Sequence, residues 1–314
     1  MGRFNIRNYT KEERKYLAVD NYDRMSMHFG KEIKKSSDNS SIWAPFKIKH
    51  LGGANIDTIF KVHDGMIIEI DKNPQFDTEI MVSDIDTVGA LFFNSFNGRV
   101  GVLNFASYKN PGGMYLEGSP AQEEALCHSS FLYNVLILHK DDFYKRHLKT
   151  LNRALYTSEL LFTPDILFAD KHEVMNDSSI VSNKVRTFRV LNADVLTIAA
   201  PNIRANTRWN KRVDKDGKVY GINVDGSTMS ESQYRALLTE RIKLILDVAI
   251  VNEDFNLILG AFGCGVFGND PYMVASVFRD LLHGEYKNVF NKVIFAVPKG
   301  ADKTNFNAFM ETLN

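Results

Sequence analysis

The chain has 314 residues, enough for one large α/β domain or two small ones, and its 44% hydrophobic and 24% charged residues are ordinary for a globular protein. Lys and Arg together number 38, as do Asp and Glu, and this balance argues against a dedicated nucleic-acid-binding protein. Two cysteines, Cys127 and Cys264, are too few for a disulfide framework or a four-ligand zinc site.

The sequence contains no obvious targeting or membrane segment. No apolar run approaches the roughly 18 residues of a membrane span, and the start does not resemble a signal peptide. Ile6 stands where N-myristoylation requires Ser or Thr. These features predict a cytoplasmic protein that does not bind membranes.

The first 85 residues differ in pattern from the rest. Thr10–Phe29 is a charged, amphipathic helix by its spacing, Lys34–Ser41 is a polar break, and Ile56–Ile70 suggests one or two strands around a turn. Because terminal segments more often pack than catalyse, we predict that residues 1–85 form an appendage on the core formed by residues 86–314.

From Asp86 onward, apolar strands alternate with amphipathic helices. This alternation predicts an α/β fold in which a mixed, mostly parallel sheet is sandwiched between helices. The predicted helices are Thr87–Phe96, Gln122–Leu138, Lys140–Tyr156, Ser232–Val251 and Pro271–His283. The predicted strands are Arg99–Ala106, Asp165–Ala169, Thr187–Val190, Val195–Ala200, Asn256–Phe262 and Lys292–Val297.

One candidate site lies where the strand in Val102–Leu138 gives way to a helix. An Asn-Pro-Gly-Gly loop separates the two, and such crossings are where open α/β sheets bind ligands. Ser119 is predicted as the N-cap, with Gln122 completing a capping box. Glu123 and Glu124 then lie in the first helical turn. They are either catalytic carboxylates or acids that complement the helix dipole.

A second candidate site is a glycine-rich loop after the strand that begins at Asn256. The glycines are Gly260, Gly263, Gly265 and Gly268. Such a loop can turn successive backbone N–H groups toward a phosphate, although a plain tight turn has the same composition. No Walker lysine follows, and the spacing is not that of a dinucleotide fingerprint.

The basic segment Arg204–Gly226 interrupts the alternation. It contains six Lys and Arg residues together with Trp209 and Tyr220. It is either a flap over an anionic ligand or a solvated insertion, and we favour the insertion because long loops tolerate charge.

Three segments carry a resemblance to a known family: VLNFASYKNPGG with the following AQEEALCHSS, then AAPN, then GAFGCGVFGNDP. They resemble the microbial poly(ADP-ribose) glycohydrolases, which have a macrodomain-like fold, and the resemblance runs in order from about Asp86 to Pro298. It implies a hydrolase of the ribose–ribose bond of poly(ADP-ribose), or of a related ADP-ribosyl linkage, that uses no metal or cofactor. Its implied partners are ADP-ribose, the polymer and, as further candidates, ADP-ribosylated proteins.

The resemblance also implies roles for individual residues. Glu124 is the expected general acid/base, and Glu123 is expected to orient the ribose. Met114 stands where the family has a third glycine, and a side chain there would crowd the ribose or restrict the loop. The expected substrate-binding residues are Asn104, Asn110, Gly112, Gly113, Gln122, Gly263, Cys264, Gly265, Val266, Phe267 and Gly268.

Several of these residues have plainer explanations. Asn110 is otherwise a turn residue before a proline, and Phe267 a core aromatic. Cys264 as a nucleophile is disfavoured because no His or Asp lies near it in sequence. The acids Asp165 and Asp194 lie among strands without ligand spacing, so no metal site is predicted.

Two other functions are compatible with the same residues. One is a hydrolase of mono-ADP-ribose attached to a protein or a nucleobase, which Met114 would favour. The other is a reader that binds ADP-ribose without chemistry. The pair Glu123 and Glu124 argues against the reader, since binding needs only the loops.

Overall fold

The structure is a computed structural model that describes residues 5–35, 70, 72–173, 185–208, 220–300 and 303–313. Its strands are β1 (Glu79–Ser83), β2 (Val100–Phe105), β3 (Leu160–Glu173), β4 (Val185–Ile198), β5 (Asn256–Leu259) and β6 (Lys292–Ala296). Its helices are α1 (Lys11–Lys35), α2 (Thr87–Phe93), α3 (Gln122–Ser129), α4 (Leu132–Leu136), α5 (Ile203–Arg208), α6 (Glu231–Val251), α7 (Pro271–His283) and α8 (Thr304–Leu313).

The six strands form one mixed sheet in the order β1-β6-β5-β2-β4-β3. Neighbouring strands run parallel from β1 to β4, whereas β3 pairs antiparallel with β4. The predicted mixed, mostly parallel sheet is therefore confirmed. Because β2, β4, β5 and β6 run in one direction, their carboxyl ends lie along one edge of the sheet, where open α/β sheets bind their ligands.

Helices cover both faces of the sheet. All four residues of β5 and the first five of β2 are buried, although successive side chains point to opposite faces. The helices form two groups. In one, α6, α7 and α8 pack together; in the other, α2, α3 and α4 pack together, and α1 packs on α3 and α4. The predicted sandwich of a sheet between helices is confirmed.

Three predicted elements are wrong in their extent. Thr187–Val190 and most of Val195–Ala200 belong to the single strand β4, which ends at Ile198, because Leu191–Ala193 between them continue the ladder with β3. The predicted helix Lys140–Tyr156 is instead a π-helical turn, Lys140–Tyr144, an α-helical turn, Lys145–His147, and a left-handed stretch. In that stretch Asn152–Ala154 have φ of 46°, 54° and 66°, which no right-handed helix can include.

The predicted helix Gln122–Leu138 is divided into α3 and α4 at Ser130. Ser130 has an extended backbone, and its hydroxyl donates to the Leu126 carbonyl and accepts from the Leu132 N–H. The side chain thus satisfies groups at the end of one helix and the start of the next. A break of this kind stabilises a change of direction that apolar periodicity alone does not reveal.

The N-terminal range 1–85 contributes directly to the sheet. β1 was not predicted, and it pairs along its whole length with β6. A strand within residues 1–85, the range predicted as an appendage, therefore belongs to the same sheet as the strands of residues 86–314. The predicted helix Thr10–Phe29 is confirmed within α1, which packs on α3 and α4.

Three predicted features lie wholly or largely outside the described residues. They are the strands in Ile56–Ile70, of which only Ile70 is described, most of the polar break Lys34–Ser41, and the centre of the basic segment Arg204–Gly226 at 209–219. Among the described helices, none combines the length and apolar character that crossing a bilayer requires.

Candidate active site

A cavity of about 730 Å³ opens at the carboxyl ends of the parallel strands. Its walls come from the segments that follow β2, β4, β5 and β6 and from the first turn of α3. Cavities at this edge are the usual ligand sites of open α/β sheets, and this volume is in the range of small-molecule pockets. Wall residues from these four strand ends are Ser107, Ala200, Phe262 and Val297.

Gln122 fixes the start of α3 against the end of β2. Its side-chain Nε2 donates to the Leu103 carbonyl at 2.8 Å, and its Oε1 accepts from the Phe105 N–H at 2.8 Å. The predicted N-cap at Ser119 is therefore wrong: Ala121 occupies that position without a side-chain hydrogen bond. The amide of Gln122 is used to hold the helix on the sheet, so it does not form a capping box.

Glu123 is buried beneath the cavity and held by hydrogen-bond donors. Its Oε2 accepts from the Ser107 N–H at 2.6 Å, and its Oε1 accepts from Asn104 Nδ2 at 3.4 Å. Burial raises the pKa of the Glu123 carboxyl well above its ordinary range, and the neighbouring Glu124 raises it further, against the lowering effect of these donors. The side chain is only 2% exposed.

Glu124 lines the cavity one residue later. Its Oε1 accepts a hydrogen bond of 2.8 Å from the Met114 N–H. No described residue donates to Oε2, which leaves that oxygen available to a ligand. The loop before α3 thus orients the carboxylate through a backbone group.

Gly112 and Gly113 are required where they stand. Both have left-handed φ, of 66° and 61°. A β-carbon at Gly112 would lie 2.6 Å from Cδ2 of Tyr133, and one at Gly113 would lie 2.6 Å from Oε1 of Glu124. Met114, in contrast, does not have positive φ, and its half-exposed side chain lines the cavity. The loop backbone therefore does not need a third glycine.

The glycine-rich loop after β5 forms another wall of the cavity. Gly263 has φ of 73°, and its carbonyl accepts from Asn269 Nδ2 at 3.1 Å. The same Nδ2 donates to the Pro201 carbonyl at 2.8 Å, and Oδ1 of Asn269 accepts from the Tyr234 hydroxyl at 2.9 Å. Asn269 ties the loop to the segment after β4 and to α6. It was not predicted as a site residue, because two of its three partners, Pro201 and Tyr234, are distant in sequence.

The tip of this loop offers free backbone donors. Within the part of the chain that the structure describes, the N–H groups of Gly265, Val266 and Phe267 donate no hydrogen bond, and all three residues line the cavity. Arg204 lies beside them, with Nη2 donating to the Gly265 carbonyl at 3.3 Å. Three consecutive amides at a cavity wall suit an anionic group such as a phosphate.

The structure divides the predicted site residues into two sets. Those that line the cavity are Gly113, Gln122, Glu123, Glu124, Gly263, Gly265, Val266 and Phe267. Those that do not are Asn104, Asn110, Gly112, Cys264 and Gly268. Asn104 is fully buried and contacts Glu123, whereas Asn110 is exposed in the turn where its carbonyl accepts from the Gly113 N–H.

The described residues give no support to a nucleophilic Cys264 or to a metal site. The Cys264 thiol is directed to the Phe262 carbonyl, and burial raises its pKa, which disfavours the reactive thiolate. Among the described residues, no group of three or more His, Cys, Asp or Glu side chains is arranged to hold a metal ion.

The N-terminal segment also reaches the cavity, which the sequence analysis did not predict. Asn5, Ile6 and Arg7 line it. Ile6 is buried in a small cluster with Leu17 and the half-buried Ala125 of α3. The range 1–85 therefore contributes to the cavity wall as well as to the sheet.

Comparison with known proteins identifies the family. The family model described as microbial-type PARG, catalytic domain, matches residues 10–171. No curated protein matches the chain. Poly(ADP-ribose) glycohydrolase (PARG) from Deinococcus radiodurans in complex with ADP-ribose is 31% identical, with a TM-score of 0.61 over 77% of this chain and 87% of that one.

PARG from Thermomonospora curvata is similar over nearly the whole length. It is 24% identical, with a TM-score of 0.68 over 96% of this chain and 99% of that one, and its inhibitor-bound form has a TM-score of 0.65. This likeness confirms the predicted macrodomain-like fold. The resemblance inferred from the sequence motifs is confirmed by the family match, and the chain belongs to the microbial-type PARG family.

Proposed function

We propose that this chain is a poly(ADP-ribose) glycohydrolase that cleaves the ribose–ribose O-glycosidic bond of poly(ADP-ribose). The observation that carries the proposal is the placement of Glu124 and of the free amides at Gly265–Phe267 in the walls of one cavity. One wall offers a carboxyl group for proton transfer and the other offers donors for a diphosphate. ADP-ribose has both the anomeric centre and the diphosphate that such a site would bind.

Glu124 acts as the general acid and then as the general base. As the glycosidic C–O bond breaks, the Glu124 carboxyl gives its proton to the leaving oxygen, and the anomeric carbon acquires oxocarbenium character. A water molecule then adds to that carbon and returns a proton to the carboxylate. The Met114 N–H holds Oε1, so Oε2 is the oxygen that carries the proton.

Glu123 acts as a positioning group that binds the ribose. Its raised pKa favours a neutral carboxyl, which can donate a hydrogen bond to a ribose hydroxyl as well as accept one. Asn104 and Gln122 act through α3: the first contacts Glu123, and the second fixes the helix start.

The glycine-rich loop holds the diphosphate and contributes to the rate. The amides of Gly265, Val266 and Phe267 donate to phosphate oxygens, and Gly263 with Gly268 provides the left-handed backbone that shapes the loop. A phosphate held next to the developing positive charge stabilises the transition state electrostatically. Phe267 packs on the ribose, with Tyr156 behind it at a ring separation of 6.1 Å.

The test is a comparison of Glu124→Gln with wild type. The variant keeps the shape and the acceptor oxygen for the Met114 N–H but has no proton to transfer. We expect turnover of poly(ADP-ribose) to fall by about 10²- to 10⁴-fold, with the affinity for ADP-ribose in calorimetry little changed. Glu117→Gln is the matched control, because Glu117 is exposed in the same loop.

Product analysis separates the proposal from its alternatives. Release of ADP-ribose from the polymer supports the proposed activity, whereas release only from mono-modified protein or nucleic acid indicates the related hydrolase. Binding of ADP-ribose without turnover of any of these substrates indicates a reader, and wild type that releases nothing from the polymer contradicts the proposal.

A further inference from the structure

Met114 lies beside the proton donor at the cavity. Its N–H is 2.8 Å from Oε1 of Glu124, and an N–Cα bond adds about 1.5 Å, so its Cα is within about 4.3 Å of that oxygen. Its side chain is 48% exposed and lines the cavity. A thioether therefore borders the space next to the catalytic carboxyl without being buried in the core.

In the proposed reaction, the leaving oxygen lies close to Met114, because the Met114 N–H is bonded to the carboxyl that gives the proton. An oxygen that takes a proton from Glu124 lies within about 3.2 Å of the carboxyl. The rest of the leaving group extends from that oxygen away from the ribose that is attacked, and the glycine-rich loop holds the diphosphate on the other side. Met114 is therefore a cavity residue within reach of the leaving group.

Arg7 is a second group at the wall of this cavity. It belongs to the turn Ile6–Asn8, whose Ile6 packs against Ala125, the neighbour of Glu124 in α3. Arg7 is exposed and lines the cavity. None of the ion pairs between described residues involves its guanidinium. An unneutralised cation at a cavity wall suits an anionic ligand.

We propose that Met114 and Arg7 form a leaving-group subsite that takes the nucleotide part of the next ADP-ribose unit. The purine packs on the Met114 thioether, and a phosphate oxygen accepts from the Arg7 guanidinium. This inference rests on the proposed function. It assigns specificity for the polymer to two residues, because an amino-acid leaving group provides neither a purine nor a phosphate.

The experiment compares two substrates that share the ADP-ribosyl part. One is an ADP-ribose dimer with a ribose–ribose bond, and the other is an ADP-ribosyl aryl ether, whose leaving phenol has no phosphate. We expect Arg7→Gln to raise KM for the dimer about threefold to fivefold and to leave KM for the aryl ether unchanged. Arg7→Lys, which keeps the charge, should recover most of the loss.

Met114 is tested in the same way. We expect Met114→Gly to raise KM for the dimer about threefold while Met114→Leu, which keeps an apolar surface, restores it. Arg279→Gln is the control for Arg7, since Arg279 lies exposed on α7 and does not line the cavity.

The outcomes distinguish this inference from the proposed function. Equal effects of Arg7→Gln on both substrates, or no effect on the dimer, overturn the subsite while wild-type turnover of the dimer still supports the glycohydrolase. If wild type cleaves neither substrate, the glycohydrolase proposal fails, and the subsite fails with it.

Discussion

The N–H of Met114 donates a hydrogen bond of 2.8 Å to Oε1 of Glu124, so the loop before α3 and the carboxylate at its start hold each other in place. Gly113 allows this approach, because the β-carbon of any larger residue would lie 2.6 Å from Oε1 of Glu124. The local backbone therefore contributes directly to the position of the carboxylate.

Gly113→Ala should abolish most activity. The new β-carbon would lie 2.6 Å from Oε1 of Glu124 and 3.0 Å from Oε2 of Glu123, so both carboxylates must move. A displacement of this size costs about 10²-fold in rate. Steady-state turnover of poly(ADP-ribose) measures the effect.

Gly98→Ala is the matched control for Gly113→Ala. Gly98 also has left-handed φ, of 92°, but a β-carbon there meets nothing within 4 Å. Gly98→Ala therefore introduces the same kind of backbone strain as Gly113→Ala but no contact with the carboxylates. Similar losses of activity in the two variants would contradict the steric explanation.

Glu123→Gln should stabilise the protein increasingly as pH rises. In the unfolded chain the Glu123 carboxyl ionises near its ordinary pKa, about 4.3, whereas burial raises its pKa in the folded protein. Above that ordinary pKa the unfolded state loses a proton that the folded state keeps, so this group favours unfolding more as pH rises. Glutamine does not ionise, so the stability of the variant does not fall with pH for this reason.

Urea denaturation of both proteins measures this dependence. The free energy of unfolding of Glu123→Gln minus that of wild type should increase from about pH 4.5 to about pH 7. Asn104 can adapt to the new amide, because its buried Oδ1 has no partner among the described residues. A difference that stays constant with pH would show that burial does not raise the pKa of Glu123.

The sequence predicts those parts of the site that are encoded locally. The strand before Asn-Pro-Gly-Gly, the acids at the start of a helix and the glycines after β5 are short-range patterns, and the structure brings them to one cavity. The helix α7 was also predicted with its observed bounds, since Asp270 and Pro271 mark its start. Apolar periodicity and capping residues depend on neighbours within a few positions.

The remainder depends on contacts between distant segments. Gln122 was assigned to a capping box, but the nearby end of β2 offered its amide better partners. Arg241 lies between Glu240 and Lys243 on α6, and only the fold shows that it is buried and donates to the carbonyls of Ala199 and Leu155. No local pattern identifies a partner that is more than 40 residues away.

Gly263 and Gly265 should respond differently to alanine. At Gly263 the φ is left-handed, and a β-carbon would lie 2.3 Å from Nδ2 of Asn269 and 2.5 Å from Cβ of Ala200. Gly263→Ala should therefore lower the free energy of unfolding by about 1 to 3 kcal/mol. Thermal or urea unfolding measures this loss.

Gly265→Ala should leave stability nearly unchanged and weaken ligand binding. A β-carbon there meets nothing within 4 Å, and Gly265 lines the cavity. If the diphosphate lies on this loop, the new methyl group occupies its space, and the Kd for ADP-ribose should rise about tenfold. Unchanged affinity in calorimetry would indicate that the ligand does not approach this part of the loop.

Asn21 should connect the N-terminal helix to the active site. Its Nδ2 donates to the Tyr115 hydroxyl at 3.1 Å and to the Cys127 carbonyl at 3.1 Å. Helix α1 therefore holds both the Asn-Pro-Gly-Gly loop before α3 and the end of α3. Asn21→Leu removes these donors from a buried position and should cost about 1 to 3 kcal/mol in the free energy of unfolding.

Because α3 carries Glu123 and Glu124, the turnover number of Asn21→Leu should also fall even where the protein remains folded. Val19→Leu is the control, since Val19 is exposed on the same helix. Urea unfolding and polymer turnover, measured for both variants, check the two effects. Loss of stability with turnover unchanged would mean that α1 supports the fold without positioning α3.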